Sequence, residues 1–263
     1  MNTRCSFFPI VVTFFQLSVF CCMTESINAK DLKASVGYIP YLADSADKGS
    51  FIDLVKAIDN AYSEGSISIE VYPFARSIDN VRTGVADFHL PAIRHPYLSN
   101  KHMEYRFASK PMGTVCLVIY SHIDNPINHD DIFQATSQTP YPYSMEIIRG
   151  IAKFMSFPFP IHETSRLEFS LRKIELKRTD ALLSAQEEGD YLVKKNKMQY
   201  IHRSKFGCLD DLIVIPEGSK GDKIDQILSE ALNKLSEDGT LPIIRQRIHG
   251  PYDDWQPSQQ TDW

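Results

Sequence analysis

The stretch Ile67–Ile93, ISIEVYPFARSIDNVRTGVADFHLPAI, reads as a strand, a short helix, a tight stop and a second strand in one unit. Ile67, Ile69 and Val71 alternate with Ser68, Glu70 and Tyr72, the period-2 pattern of a strand, and Pro73 removes a ladder donor and ends it. Ser77 is placed to cap a helix whose apolar face is Ile78, Val81 and Val85, and Gly84 sits where that helix needs a residue with positive φ. Asp87 to Ile93 begins the next strand. Such a unit is half of an α/β sheet domain. In open α/β sheets ligands sit at the carboxyl ends of strands, where helix N-termini converge and backbone amides are free. Phe74 and Arg76 fall at that end and are candidate binding residues.

Upstream, Leu32 to Tyr38 is a short strand, and Ile39-Pro40-Tyr41 leaves it with an aromatic at its tip. Ser50, with Asp53 three residues on, has the spacing of a capping box ahead of a helix carrying Ile52, Leu54, Val55, Ile58, Ala61 and Tyr62. Downstream, residues 94–109 are polar and irregular, which suits a change of domain, and Met112 to Ile123 is a long apolar strand. Asp124 to Pro142 has the composition of a surface connection. Ser144 is expected to cap a helix carrying Met145, Ile147, Ile148, Ile151, Ala152, Phe154 and Met155. After the Pro158-Phe159-Pro160 break, Ser165 and Glu168 form a second capping box ahead of Leu167, Leu171 and Ile174. Arg178 to Leu183, Gln199 to His202 and Leu209 to Ile215 read as three further strands. Ile224, Ile227, Leu228, Ala231, Leu232 and Leu235 follow helical spacing up to Gly239, and Pro242 to Ile248 forms a last short helix. Trp255 is expected to pack the polar tail onto a domain. Strands alternating with helices specify an α/β fold with helices packed on the sheet.

Over 263 residues the net charge is −5 and 43% of residues are apolar, the composition of an ordinary globular protein of one large or two small domains. Without clustered Lys and Arg, neither nucleic acid nor an anionic membrane is an expected partner. Arg4, the apolar run Phe7 to Met23 and Ile27-Asn28-Ala29 read as a secretory signal peptide, residues 1–29, cleaved near Ala29. An uncleaved anchor is the other reading, because such a run approaches the ~18 residues that span a bilayer. Phe20 before Cys21, and Cys21 before Cys22, argue against lipid modification at either cysteine. Removing the leader leaves Cys116 and Cys208. Export invites a disulfide between them, and two buried thiols in apolar strands are the simpler alternative.

Dinucleotide, phosphate-loop, G-x-S-x-G and H-E-x-x-H signatures are all absent from the sequence. His95 with His102, and His129 with Asp130 and Asp131, lack metal-ligand spacing, so no metal and no cofactor is expected. The run Lys194-Lys195-Asn196-Lys197 reads as a solvated helix end.

The segments GYIPY (37–41), YPFARS with VRTGVADF, KRTDALL (177–183) and ILSEALNKLSEDGTLPIIRQRI (227–248) together resemble the type II periplasmic solute-binding proteins, particularly the amino-acid-binding family of ATP-driven importers. The resemblance spans essentially the whole mature chain. It implies a two-lobed fold, each lobe a mixed sheet flanked by helices, joined by two hinge strands and closing on a ligand. Residues 30–110 and 209–263 would form the first lobe and 111–208 the second, which puts Cys116 and Cys208 on the two crossing strands. By the same resemblance Tyr41 would stack on the ligand and Arg76 would face the cleft. Arg94 is the nearest match to the family's carboxylate-gripping arginine, although Pro91 and Ala92 replace the hydroxyl residues that normally precede it. Ser144, with Tyr141 and Tyr143, occupies the place of a helix N-terminus that receives the ligand carboxylate. Ser184 stands where family members carry the aspartate that pairs with an α-ammonium, so a standard α-amino acid lacks its partner unless Gln186 or Glu187 substitutes.

The function these features imply is a monomeric periplasmic protein. It captures a small polar, anionic or amino-acid-like solute for the inner-membrane permease of an ABC transporter. The alternative is a periplasmic ligand sensor that presents its bound state to a membrane receptor. An enzyme on the same scaffold would need a carboxylate placed in the cleft, and none has an assignable role.

Overall fold

The computed structural model describes residues 31–94, 103–149, 151–152 and 157–260. The expected leader, His95, His102, Phe154 and Met155 lie outside the described residues.

Strands β1 (Leu32–Gly37), β2 (Ile67–Tyr72) and β3 (Phe88–Ile93) pair in parallel with β1 in the middle, and α1 (Ser50–Ala61) and α2 (Phe74–Arg82) make the two crossovers. The chain continues through β4 (Tyr105–Phe107), β5 (Gly113–His122), α3 (His129–Gln134), β6 (Met145–Ile148), β7 (His162–Thr164), α4 (Leu167–Glu175), β8 (Ala181–Ala185) and α5 (Gln186–Lys195). It closes with β9 (Ile201–Pro216), α6 (Gly218–Glu237) and α7 (Thr240–Ile248). The strand order is β2-β1-β3-β9-β5-β8-β6-β7, with β4 on β9. The hinge strands are β5 and β9: β9 pairs with β5 from Ile201 to Asp211, with β3 from Asp211 to Val214 and with β4 from Val214 to Pro216.

The packing follows from side-chain period. On β5, Leu117 and Ile119 point to one face and join Ile132, Met145, Ile147 and Leu183. Val118 and Tyr120 point to the other and join Leu171, Ile174, Leu182, Val193 and Ile201. A separate, larger core unites β1, α1, α6 and α7 through Val36, Leu54, Val55, Ile58, Leu228, Leu232, Leu241, Ile244 and Ile248. Each such fully buried aliphatic contributes about 1.5–3 kcal/mol relative to exposure.

Several expectations are corrected. Met145 to Ile148 is a strand, and no helix starts at Ser144. The Ser144 N–H donates to Asp180 Oδ2 at 2.7 Å, its carbonyl accepts from Asp180 and Ala181, and β7 and β8 pair with β6 from both sides. A run of four apolar-rich residues fits either element, and the parallel partners decide. Ser50 caps nothing. The N-cap of α1 is Gly49 at φ 133°, where a Cβ would stand 2.3 Å from the Leu42 carbonyl oxygen, so only glycine fits; Asp53 pairs instead with Arg247 of α7 at 3.1 Å. Helix α2 begins at Phe74 behind Pro73, which leaves Ser77 buried inside it, and Gly84 takes the expected positive φ of 76°. Arg166, without a side-chain cap, precedes α4 in place of the Ser165–Glu168 box. The 124–142 connection holds α3, closed by a capping box between Asn128 and Asp131. The two strands expected over 199–202 and 209–215 are parts of the continuous β9.

The two cysteines are bonded, not free thiols. Register places Cys116 directly opposite Cys208 across β5 and β9, with their Cα atoms 4.0 Å apart. Their separation is 92 residues, and closing a loop of that size stabilises by ~4 kcal/mol in the chain-entropy account. Dithiothreitol should therefore lower the unfolding free energy by an amount of that order and shift the urea midpoint down by that amount divided by the m-value. An unchanged midpoint would show that the bond does not constrain the unfolded chain.

Candidate functional site

Tyr41 leaves β1 in the left-handed region at φ 58°, a conformation that costs a non-glycine residue about 1 kcal/mol or more. Its N–H donates to Asp44 Oδ1 at 2.7 Å, which holds the turn. The side chain then crosses to α5: the hydroxyl donates to the Glu187 carbonyl, and the ring lies 4.4 Å from that of Tyr191. Burial, reinforced by Glu187, keeps the phenol protonated. Tyr41 thus ties the end of β1 to α5.

Phe74 opens α2 with its ring edge-on to His89 at 5.3 Å, packed so closely on Gly37 that a Cβ there would be 2.8 Å from the ring. Arg76 is exposed one turn into α2. Its Nε donates to Asn80 Oδ1 at 3.2 Å, and among the described residues no carboxylate pairs with it. Behind it runs a buried polar chain: Asn80 Nδ2 donates to Ser35 Oγ (3.2 Å), Ser35 Oγ meets Ser77 Oγ (2.9 Å), and Ser77 Oγ meets His89 Nδ1 (2.6 Å). Burial lowers His89 to about 3, so its ring is neutral. Ser77 and His89 have nucleophile-and-base spacing, but both are fully buried, so the hydroxyl is not presented to a substrate.

Arg94 follows β3, exposed, with its guanidinium 5.4 Å above the Phe107 ring. Tyr141 and Tyr143 lie edge to face at 5.8 Å ahead of β6. Tyr141 donates to the Ile132 carbonyl at 3.3 Å, and burial followed by Tyr143 raises its phenol to about 12. Ser144 Oγ meets Thr179 Oγ1 at 3.2 Å. Because Ser144 precedes a strand, the helix N-terminus expected there to receive a carboxylate does not exist. Ser184 is buried on β8 opposite Val118.

His249, Asp211 and Glu188, which the sequence did not single out, lie with Gln186 and Glu187 around the start of α5. His249, at the C-cap of α7, places Nε2 2.9 Å from Asp211 Oδ2, while Nδ1 stands 3.6 Å from Glu187 Oε1, an ion-pair distance beyond hydrogen-bond range. Asp211 Oδ1 accepts the Ala92 N–H at 3.1 Å, and the imidazole rests on Gly113, where a Cβ would come within 2.5 Å of the ring. Burial opposes the imidazolium, but Asp211 and then Glu187 outweigh it and raise His249 to about 9. Glu188 next door is half-buried, and burial together with Glu187 raises it to about 7. Gln186 Nε2 reaches the Gly250 and Pro251 carbonyls, each at 3.4 Å. Three elements far apart in sequence meet here, and only the acidic first turn of α5 was visible as a local signal. No group of three or more metal-ligating side chains occurs among the described residues.

His249 titrates higher in the fold than at its ordinary 6.5, so its protonation stabilises the native state. That contribution is complete below about pH 6.5 and is lost as pH rises through about 9, at a limiting slope of about 1.4 kcal/mol per pH unit. Urea unfolding of the native chain and of His249→Gln across pH 6–10 should give curves that converge at the alkaline end. Parallel curves would contradict the assignment.

No family profile matches the sequence, and no curated protein matches it. Solved structures do. A histidine kinase sensor domain with similarity to periplasmic binding proteins superposes with a TM-score of 0.64 at 15% identity, covering 83% of this chain and 95% of that one. The GluR0 ligand-binding core from Nostoc punctiforme, in complex with L-glutamate, gives 0.62 at 16% identity over 84% of this chain and all of the other (100%). An ABC uptake transporter substrate-binding protein from Streptococcus pneumoniae with bound histidine gives 0.61 at 14% identity over 84% and 93%. Two α/β lobes joined by β5 and β9, superposing on these proteins over most of their length, give this chain the type II periplasmic binding protein-like fold.

Proposed function

We propose that the chain is a periplasmic solute-binding protein that closes its lobes on a small polar, anionic or amino-acid-like solute and delivers it to the inner-membrane permease of an ABC importer. The observation that carries this reading is the junction of the lobes, where Tyr41 from the first meets Glu187 and Tyr191 of the second. The oxidised Cys116–Cys208 pair suits an exported protein. Arg76 and Arg94 are exposed guanidinium groups that no carboxylate of the described residues neutralises, which favours a ligand with an anionic group. Ser184 is uncharged, and the acidic first turn of α5, Glu187 and Glu188, is proposed to face any ammonium on the ligand. Lobe boundaries at 30–110 with 209–263, and 111–208, are part of the proposal, as are the leader over 1–29 and a monomeric state. A sensory role is the second reading, favoured by the sensor domain among the superposing structures. The site is proposed to bind and not to catalyse.

Thermal-shift and calorimetric screening of the mature chain against amino acids, organic acids and short peptides tests the reading. A solute at a hundred times its Kd should add about 2.7 kcal/mol of stability, and silence across the library would overturn it. Arg76→Ala should abolish the response while keeping the ligand-free melting temperature, since Arg76 is exposed; unchanged affinity would remove Arg76 from the site.

A further inference from the structure

The chain after α7 does not stay with the core to which α7 belongs. Ile244 and Ile248 of α7 are buried with β1 and α1, whereas Tyr252 and Trp255, a few residues on, pack against the core formed by β5, α4 and α5. Between them the chain passes the start of α5, where Gln186 donates to Gly250 and Pro251.

The far anchorage is extensive. Arg203 on β9 has a fully buried side chain, with Nε and Nη2 donating to the two oxygens of Asp190 at 2.6 and 2.8 Å. Its Nη1 donates to the carbonyls of Asp253 (3.2 Å) and Trp255 (2.5 Å). The Trp255 ring covers the guanidinium at 4.4 Å, and its Nε1 donates to Asp190 Oδ2 at 3.3 Å. Gln256 pairs with the Arg203 backbone in both directions, each bond 2.9 Å. A guanidinium buried this deeply needs partners for its donors, and the tail carbonyls supply them for Nη1, which Asp190 does not reach. Tail docking is therefore a condition for burying the Arg203–Asp190 pair.

We infer that residues 249–256 form a third connection between the lobes, beside β5 and β9, which limits how far the lobes separate. Hinge opening swings α7 relative to α5. The segment Gly250–Pro251, whose carbonyls accept from Gln186, is the short length between the two anchorages, one in each core. With so little slack, wide opening must extend this segment or undock Trp255 and Gln256. The tail thus biases the protein toward the closed arrangement, in which Tyr41 and His249 reach α5.

The test inserts six Gly/Ser residues between Gly250 and Pro251, which lengthens the connection without touching either anchorage. Spin labels at Lys56→Cys on α1 and Leu176→Cys after α4 report the distance between lobes by double electron–electron resonance. Hydrogen exchange at the Arg203 amide, which donates to Gln256, reports docking. The native chain should give one narrow distance distribution. The insertion should add a longer population while the Arg203 amide stays protected. Trp255→Ala, which releases the far anchorage, should also lengthen the distances and should increase Arg203 exchange at least tenfold. If that variant fails to fold, the insertion alone decides. A native-like distribution in the insertion variant overturns the inference, whether or not Arg203 remains protected.

Discussion

The pairing of β5 with β9 is the constraint on which the rest of the molecule depends. β9 runs 16 residues and changes partners along its length, serving β5 up to Asp211 and β3 and β4 from Asp211 onward. Register shifts at Leu117/Val118 and at His89/Ala92 flank the changeover, and an irregularity of that kind bends a strand and increases its twist. The bend lets one strand belong to two sheets' worth of packing. The Cys116–Cys208 bond fixes the same pair at its middle, so the crossing point is rigid and motion is left to the bodies on either side.

Near that crossing, distant parts of the chain meet at the first turns of α5. Tyr41 reaches it from the end of β1, His249 from the end of α7, and Gly250 and Pro251 from the tail. The electrostatics are unbalanced by design of the local chain. Glu187 and Glu188 are adjacent, and the His249 imidazolium, shared with Asp211, faces Glu187. The Tyr41 and His249 contacts with α5 are few and mostly polar, and they break at a lower cost than the docked tail or the aliphatic cores on each side.

Much of the fold was legible in sequence where hydrophobic period and position agree. β2 alternates apolar and polar residues, and α6 buries Ile224, Leu228, Ala231, Leu232 and Leu235 at helical spacing. Helix α5 escaped because its inward face is Gln186, Gly189, Asp190 and Val193: the 3.6-residue period exists in burial but not in hydrophobicity. Each departure has a partner far along the chain. A Cβ at position 189 would collide with the Tyr120 ring, and Asp190 is there for Arg203. The helix expected at Ser144 failed for the same kind of reason, since the strands that claim Met145 to Ile148 arrive from residues 162–164 and 181–183. Caps were misread where backbone geometry outranked side chains, as at Gly49 and Pro73. The place of Tyr41 beyond the end of β1 was legible in the sequence, but its contact with α5 was not. The meeting of His249, Asp211 and Glu187 was not legible either, because it is assembled by the crossover and leaves no local pattern.

The most direct test of the account is a crystal structure of the mature chain grown with the solute that most raises its melting temperature. The account predicts that solute between the lobes, touching Tyr41 and Arg76, with the Tyr41 hydroxyl still on the Glu187 carbonyl. Solute bound on the outer face of either lobe, or lobes closed on each other with nothing between them, would contradict it.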